Sequence, residues 1–484
     1  MNKKKYQQLL AIAILGSLLS INYVAKAEEK IWNASGAEQN ENAPLEITLE
    51  NAIDMTLSRN PQLDGVDADR QAARRRVEQA KASYGPTVGA THSETRTYSD
   101  ANTFRKDVYS NQFSNGVNLN WVLYSGGATQ GQVKQAKEGY NSGSYGVVLM
   151  EQSLRMQTAQ AYYQVLYAAK TVENTDEAVA RMEEHLKNTK LRFEVGLVAK
   201  ADVLRSEVEV ANAKQNLIKA KNSLDLAYAN LANLIWVDMG TTLVLKDSLG
   251  FTPDERTLEE SISYAKLYRP EIHQSFSSID SAKAAVRSAR AGYYPTVAVS
   301  AGYNKGDVDR PGWETTGWNV GGTVKLTLFD SFYTRGRVGE AMAKQEKAES
   351  TLQTTIQGID LEVRQAWLNL QEAKERIQAS SVAISQAEED YKIAQARYQA
   401  GVGTNLDVLD SQNALTNAQT NYASSLFDYN NNRAKLDKAM GMGVKRPISA
   451  EELERTPLPS DMLNKKIEEL KENPEKTKIL FPGE

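Results

Sequence analysis

Arg397-Tyr398-Gln399-Ala400-Gly401-Val402-Gly403-Thr404-Asn405-Leu406-Asp407-Val408-Leu409-Asp410 is a glycine turn between two long helical patterns. Glycine at the end of such a pattern is a helix stop, and Thr404 three residues before Asp407 has the spacing of a capping-box start. A second copy reads Arg192-Phe193-Glu194-Val195-Gly196-Leu197-Val198-Ala199-Lys200-Ala201-Asp202-Val203-Leu204-Arg205. Gly196 stands 205 positions before Gly401, and Asp202 stands 205 before Asp407. A turn that recurs at a constant offset makes two copies of one unit the starting hypothesis for the 484 residues.

Outward from each turn the patterns match. From Gly127 to Val195 there is no proline, and the run is rich in Gln, Ala, Glu, Lys and Leu. At 1.5 Å per residue it predicts a helix of about 100 Å. After Gly196, Val203, Val210, Ala213, Leu217, Leu224 and Leu231 follow coiled-coil-like steps of seven, three and four. The long pattern recurs from Ser331 to Ala400, and Val408, Leu415, Ala418, Tyr422, Leu426, Tyr429 and Leu436 repeat the shorter one.

Before each long helix the period changes to two. Strands are expected near 86–98 and 115–124 in the first unit, and near 295–304 and 319–329 in the second. Val117, Leu119, Trp121 and Leu123 oppose Asn118 and Asn120, while Val324, Leu326 and Leu328 oppose Thr323, Lys325 and Thr327. Short helices precede the strands. Thr48 caps the first, Asn60-Pro61 interrupts it, and Arg269-Pro270 interrupts its counterpart.

Composition narrows the function. A net charge of -4 argues against a nucleic-acid partner, and the lack of cysteine excludes disulfides, thiolate metal sites and a cysteine nucleophile. His92, His185 and His273 are far apart and form no metal-spaced motif. Gly126-Gly127-Ala128-Thr129-Gln130-Gly131 matches no nucleotide-binding fingerprint. The reading is therefore not an enzyme, with no cofactor and no metal. The N-terminus has a basic start, an apolar run from Leu9 to Leu19 and an Ala25-Lys26-Ala27 exit, which reads as a signal peptide over 1–27. A flexible leader over 28–44, a first repeat over 45–250, a second over 251–443 and a polar tail over 444–484 complete the expected layout.

No later stretch has the roughly 18 apolar residues of a membrane helix. Four alternating strands of about ten residues instead suit a membrane barrel, lipid outside and water inside. Four strands cannot close on themselves, since small barrels need about eight and an open edge is not tolerated in lipid. Copies must then combine, and three copies, giving twelve strands, leave room for water where two would not.

The two turn stretches, at equivalent places in a duplicated chain, resemble the TolC-type outer-membrane channels of type I secretion and multidrug efflux over roughly Leu45 to Gly443. The resemblance implies a mixed α/β membrane protein with internal structural duplication: a trimeric 12-stranded outer-membrane β-barrel, four strands per chain, continued by a long α-helical periplasmic barrel. It implies as partners a periplasmic adaptor (membrane fusion) protein, an inner-membrane transporter, ABC or proton-driven, and outer-membrane lipid. The adaptor would dock at Val195-Gly196-Leu197 and Ala400-Gly401-Val402.

Asp407 and Asp410 fall where the family places a gate and selectivity ring of aspartates. Three residues apart on a helix, both can face one side. Helix capping is the alternative for Asp407 and Asp202, and a solvated face for Asp410. Tyr398 and Asp202 match residues of the family's closed gate, but the position of its partner arginine is Gly403, for which Lys200, Arg192 or Arg397 could substitute. Simple packing at the turn is the alternative for Tyr398. For the chain as a whole the alternative is an exported, non-conducting coiled-coil adhesin or envelope spacer.

Overall fold

The computed structural model describes residues 44–100, 108–308 and 315–443. The expected signal segment, the leader up to residue 43 and the tail from 444 lie outside the described residues. The chain divides into two compact units. Strand β1 (Leu45–Ile47) pairs with β4 (Leu243–Leu245), and in the smaller unit the Leu45 amide donates to the Thr242 carbonyl at 2.9 Å.

The larger unit is mixed α/β and mostly helical. Its first elements are α1 (Leu49–Arg59), α2 (Pro61–Ala82), β2 (Thr87–Ser99), β3 (Val108–Ser125), α3 (Ala128–Glu194) and α4 (Lys200–Leu234). The same order follows β4: α5 (Leu258–Tyr268), α6 (Pro270–Arg290), β5 (Thr296–Val308), β6 (Thr315–Lys325), α7 (Tyr333–Gln399) and α8 (Asn405–Met440). The long helices α3 and α7 have 67 residues each, about 100 Å of rise. No described helix is long and apolar enough to cross a membrane.

The helix boundaries have local causes. The Thr48 hydroxyl accepts from the Asn51 amide at 3.3 Å and starts α1. Pro61 cannot continue that helix, so Asn60 turns outward and caps α2 through the Gln62 amide at 3.0 Å. The Asn60 side-chain amide then donates to Leu234, at the end of α4, at 3.0 Å. Arg269, before Pro270, does the same for α8, donating to the Lys438 and Ala439 carbonyls. Each break thus satisfies carbonyls that a helix end leaves open.

Packing follows the coiled-coil step. On α7, Ile359, Val363, Ala366, Leu370, Ala373 and Ile377 are buried at alternating intervals of four and three, against Leu426, Tyr429 and Leu436 of α8 and Ile272 and Phe276 of α6. Burying each large aliphatic side chain contributes on the order of 2 kcal/mol.

The sheet runs β2-β3-β5-β6, antiparallel throughout. One face carries Val88, Val117, Trp121, Trp318, Val320 and Val324, all exposed to the surroundings of the single chain. Three strands differ from expectation, and one of them, β5, runs on to Val308 past the expected end at 304. β3 begins at Val108 rather than near 115, because the polar residues Ser110, Asn111 and Gln112 still pair with β2. β6 spans Thr315–Lys325 rather than 319–329, leaving Leu326 and Leu328 beyond the pairing. The register also shifts between Val122 and Tyr124. This bulge places Tyr124, not Leu123, opposite Val297 on the apolar face, since one extra residue inverts the alternation.

Candidate functional site

Both glycine turns close the same way. After α3, the Gly196 amide donates to the Phe193 carbonyl at 2.9 Å and the Leu197 amide to Arg192 at 2.8 Å; after α7, Gly401 donates to Tyr398 at 3.1 Å and Val402 to Arg397 at 3.0 Å. The pattern requires a left-handed residue, and Gly196 (φ 76°) and Gly401 (φ 77°) supply it without a Cβ clash. The turns leave Val195, Leu197 and Val402 about 70% exposed (69%, 70% and 69%). Ala400 is exposed as well.

Asp407 takes part in a complete capping box. Its carboxylate accepts from the Thr404 amide at 2.9 Å, and its own amide donates to the Thr404 hydroxyl at 3.1 Å. These bonds, with Arg397 nearby, hold its carboxyl below the usual carboxylate range, so it is ionised at neutral pH. Asp407 remains exposed, as does Asp410 one turn on. Both line one groove of about 400 Å³ between α7 and α8, with Asp390, Arg397 and Ser411. Three carboxylates against one guanidinium give that groove a negative balance at the tip of the second hairpin.

The first copy differs. The Asp202 carboxylate accepts from the Ala199 amide at 3.3 Å. Ala199 has no side-chain oxygen to return, so the Asp202 amide bonds the Ala199 carbonyl at 3.0 Å instead. Lys200 is exposed and stands outside the network around Tyr398.

That network is buried and joins the two hairpins. The Asn405 side chain sits between them: its Oδ1 lies 2.6 Å from His185 Nε2 and 3.3 Å from the Ser206 hydroxyl, and its Nδ2 donates to the Asp202 carbonyl at 3.2 Å. Asn405 Oδ1 can only accept, so the proton of His185 is on Nε2. Burial above all, and the positive charge of Arg192, hold this imidazole below its ordinary 6.5, so it is neutral at pH 7. Thr189 gives its hydroxyl hydrogen to the His185 carbonyl at 2.9 Å, which leaves its oxygen to accept from the Tyr398 hydroxyl at 3.3 Å. Arg192 lies over the Tyr398 ring at 4.7 Å and donates to the Gln399 carbonyl at 2.6 Å.

The structure therefore brings Tyr398 together with Arg192, one of the three expected substitutes, and leaves Lys200 apart. The Asp202 contribution across the hairpins is its backbone carbonyl, since its carboxylate is engaged at the helix start. His185, Thr189, Ser206 and Asp390 are partners that sequence reasoning missed. His185, Thr189 and Arg192 share one helical face at steps of four and three, which is a usable signal for a polar seam. Nothing in the order of residues pairs that seam with Asn405, 220 positions away. Among the described residues no group of three or more His, Asp or Glu side chains could hold a metal ion.

Known proteins are similar to this chain over most of its length. Residues 52–235 and 261–442 match the family described as outer membrane efflux protein. The chain is 25% identical over 398 residues to outer membrane protein TolC of Escherichia coli, covering 79% of this chain and 80% of that one. It is 25% identical over 414 residues to the probable efflux pump outer membrane protein TtgC of Pseudomonas putida, covering 82% and 83%. The fold matches the CmeC outer membrane channel of Campylobacter jejuni with a TM-score of 0.70 at 20% identity, over 91% of this chain and 94% of that one.

Proposed function

The chain belongs to the outer membrane efflux protein family, and from that premise we propose that three copies assemble into an exit duct across the outer membrane and the periplasm. The open sheet carries the reading. The sheet ends at β2 and β6 among the described residues, and its apolar face is bare. In lipid such a sheet is tolerated only when its edges are paired and its apolar face meets the acyl chains. Three copies give twelve strands and a lumen wide enough for water.

In this reading the chain is a duplicated unit, with repeats over 45–250 and 251–443, and the long hairpins continue the barrel as a periplasmic helical tunnel. The exposed apolar turns at Val195-Gly196-Leu197 and Ala400-Gly401-Val402 dock a periplasmic adaptor, as contiguous apolar patches commonly mark docking surfaces. An inner-membrane transporter, ABC or proton-driven, loads the duct for efflux or secretion. Asp407 and Asp410 from three chains gather at the narrow mouth, where a ring of carboxylates draws cations. Tyr398, with Arg192 and the Asp202 carbonyl, holds the hairpins together while the mouth is closed. The duct carries out no chemistry and uses no cofactor.

Sedimentation of the purified protein in detergent should give the mass of three chains, and its insertion into a planar bilayer should give discrete current steps. A stable monomer, or a folded trimer without conductance under conditions that open the helix tips, would overturn the duct.

A further inference from the structure

The barrel lumen can be read from the strand register. Residues directly opposite one another share a face, so the polar face is fixed by the pairs Gly89 with Asn118, Gly116 with Asn304, and Gly302 with Asn319. In each pair the asparagine amide lies over the glycine: a Cβ built on Gly116 would stand 2.5 Å from Asn304 Oδ1, and one on Gly302 would stand 2.6 Å from Asn319 Oδ1. The amides thus lie flat on the wall. The charged residues Glu94, Arg96 and Lys305 alternate with the other face, in step with Val88 and Val299.

One charge breaks this neutrality. Lys325 is exposed at the end of β6 and pairs with Thr296, while its neighbour Val324 pairs with Val297 on the apolar face. It is the only charged residue on the polar face among the described side chains of β2, β3, β5 and β6. Resting on the duct reading above, we propose that Lys325 is a specificity-determining residue: three copies form a positive ring at the base of a lumen whose other described strand side chains are uncharged. The ring favours small anions and the anionic groups of solutes that reach the barrel.

This ring and the aspartate mouth lie at opposite ends of α7, about 100 Å apart. That far exceeds the screening length, about 10 Å at 0.1 M salt and 3 Å at 1 M, so the two act as independent filters in series. The acidic mouth masks the lysine ring in the intact duct, and neutralising the mouth exposes it.

The test uses trimers carrying Asp407→Ala and Asp410→Ala in planar bilayers under a potassium chloride gradient. At about 0.1 M the background should prefer chloride, Lys325→Gln should lower the chloride-to-potassium permeability ratio on the order of threefold, and Lys325→Glu should invert it. At about 1 M the differences should vanish. Equal ratios in all three at low salt, with normal conductance, would overturn the lysine ring and leave the duct standing. Absence of conductance in every folded trimer, including the unsubstituted one, would instead remove the duct.

A second measurement does not depend on charge reversal. The chain has no cysteine, so Lys325→Cys and Val324→Cys each give one reactive position. A membrane-impermeant charged thiol reagent should change the current through Lys325→Cys channels and leave Val324→Cys channels unaffected. The opposite pattern would overturn the face assignment.

Discussion

Nε2 of His185, on α3, lies 2.6 Å from Oδ1 of Asn405, the first residue of α8. One buried hydrogen bond therefore ties the stem of the first hairpin to the returning helix of the second. The imidazole is neutral because it is buried, and acid must charge it there even though Nε2–H can still donate.

The direction of the pH dependence follows from the burial. His185 in the folded chain takes up its proton at a lower pH than the ordinary 6.5 of the unfolded chain. The stabilising contribution is full above 6.5, declines as pH falls through 6.5, and is lowest below the folded-state value. Amide exchange at residues 185–206 and 398–409, corrected for intrinsic rates, should be faster at about pH 5 than at about pH 7.5, and His185→Gln should remove most of the difference. Equal protection of the unsubstituted protein at both values would show that the imidazole does not control the tip.

Arg192 is expected to stabilise the same contact. Arg192→Ala removes the guanidinium from the Tyr398 ring and from the Gln399 carbonyl, at a cost of about 1 to 2 kcal/mol. Arg192→Lys should recover only part, because an ammonium lacks the planar fork that stacks and donates at once. Proteolysis at the turns should follow the order Ala, Lys, Arg, fastest first. If Lys equals Arg, the contact is simple charge.

Gly403 stands where the resemblance expects an arginine. A Cβ there would lie 3.0 Å from both the Tyr398 amide nitrogen and Arg397 Cβ, so a side chain must push the turn by a few tenths of an ångström. Gly403→Arg is therefore expected to destabilise by about 1 to 3 kcal/mol, as overpacking does, and so to lower the melting temperature rather than strengthen the closed state. A raised melting temperature with lowered conductance would mean that the turn accommodates a latch arginine after all.

For Asp407 and Asp410, substitutions separate charge from capping. Asp407→Asn keeps an acceptor for the Thr404 amide and loses the charge, while Asp407→Ala loses both. Under the proposed duct, both should weaken cation preference and block by multivalent cations, and only Asp407→Ala should also fray the start of α8. Asp410→Asn should weaken selectivity with no effect on helix content. Unchanged selectivity in Asp410→Asn would place that side chain on a merely solvated face.

Much of this architecture was legible because it rests on local rules. The glycine of each turn, the proline breaks after Asn60 and Arg269, and the seven-, three- and four-residue steps from Val408 to Leu436 follow from backbone sterics and helical period, which any window of sequence displays. The bulge at Val122 to Tyr124 was not legible, since Leu123 continues the alternation perfectly in sequence and is displaced only by the pairing with β5. The start of β3 was missed because its first residues are polar and pair without an apolar face to mark them. At the site, Asp407 and Asp410 could be placed on one face from a three-residue step. The network around Asn405 could not, because its partners come from three other helices.

The Asn304 amide over Gly116 gives a last test, in which stability and conductance should move in opposite directions. Alanine at position 116 would bring a Cβ to 2.5 Å from Asn304 Oδ1 and 3.0 Å from Thr91 Oγ1. Both atoms are ends of side chains that can rotate, so the strand need not break. Replacing a strand glycine removes unfolded-state freedom and is expected to stabilise by about 0.5 kcal/mol where the backbone accepts it. The displaced amide must then rise from the wall, which under the proposed duct is the lumen wall, and single-channel conductance should fall. Asn304→Ala added to Gly116→Ala should restore it, since the two residues are directly opposed and their effects should couple. If Gly116→Ala lowers conductance and Asn304→Ala does not restore it, the added methyl acts on the backbone, and the amide is not what the glycine makes room for.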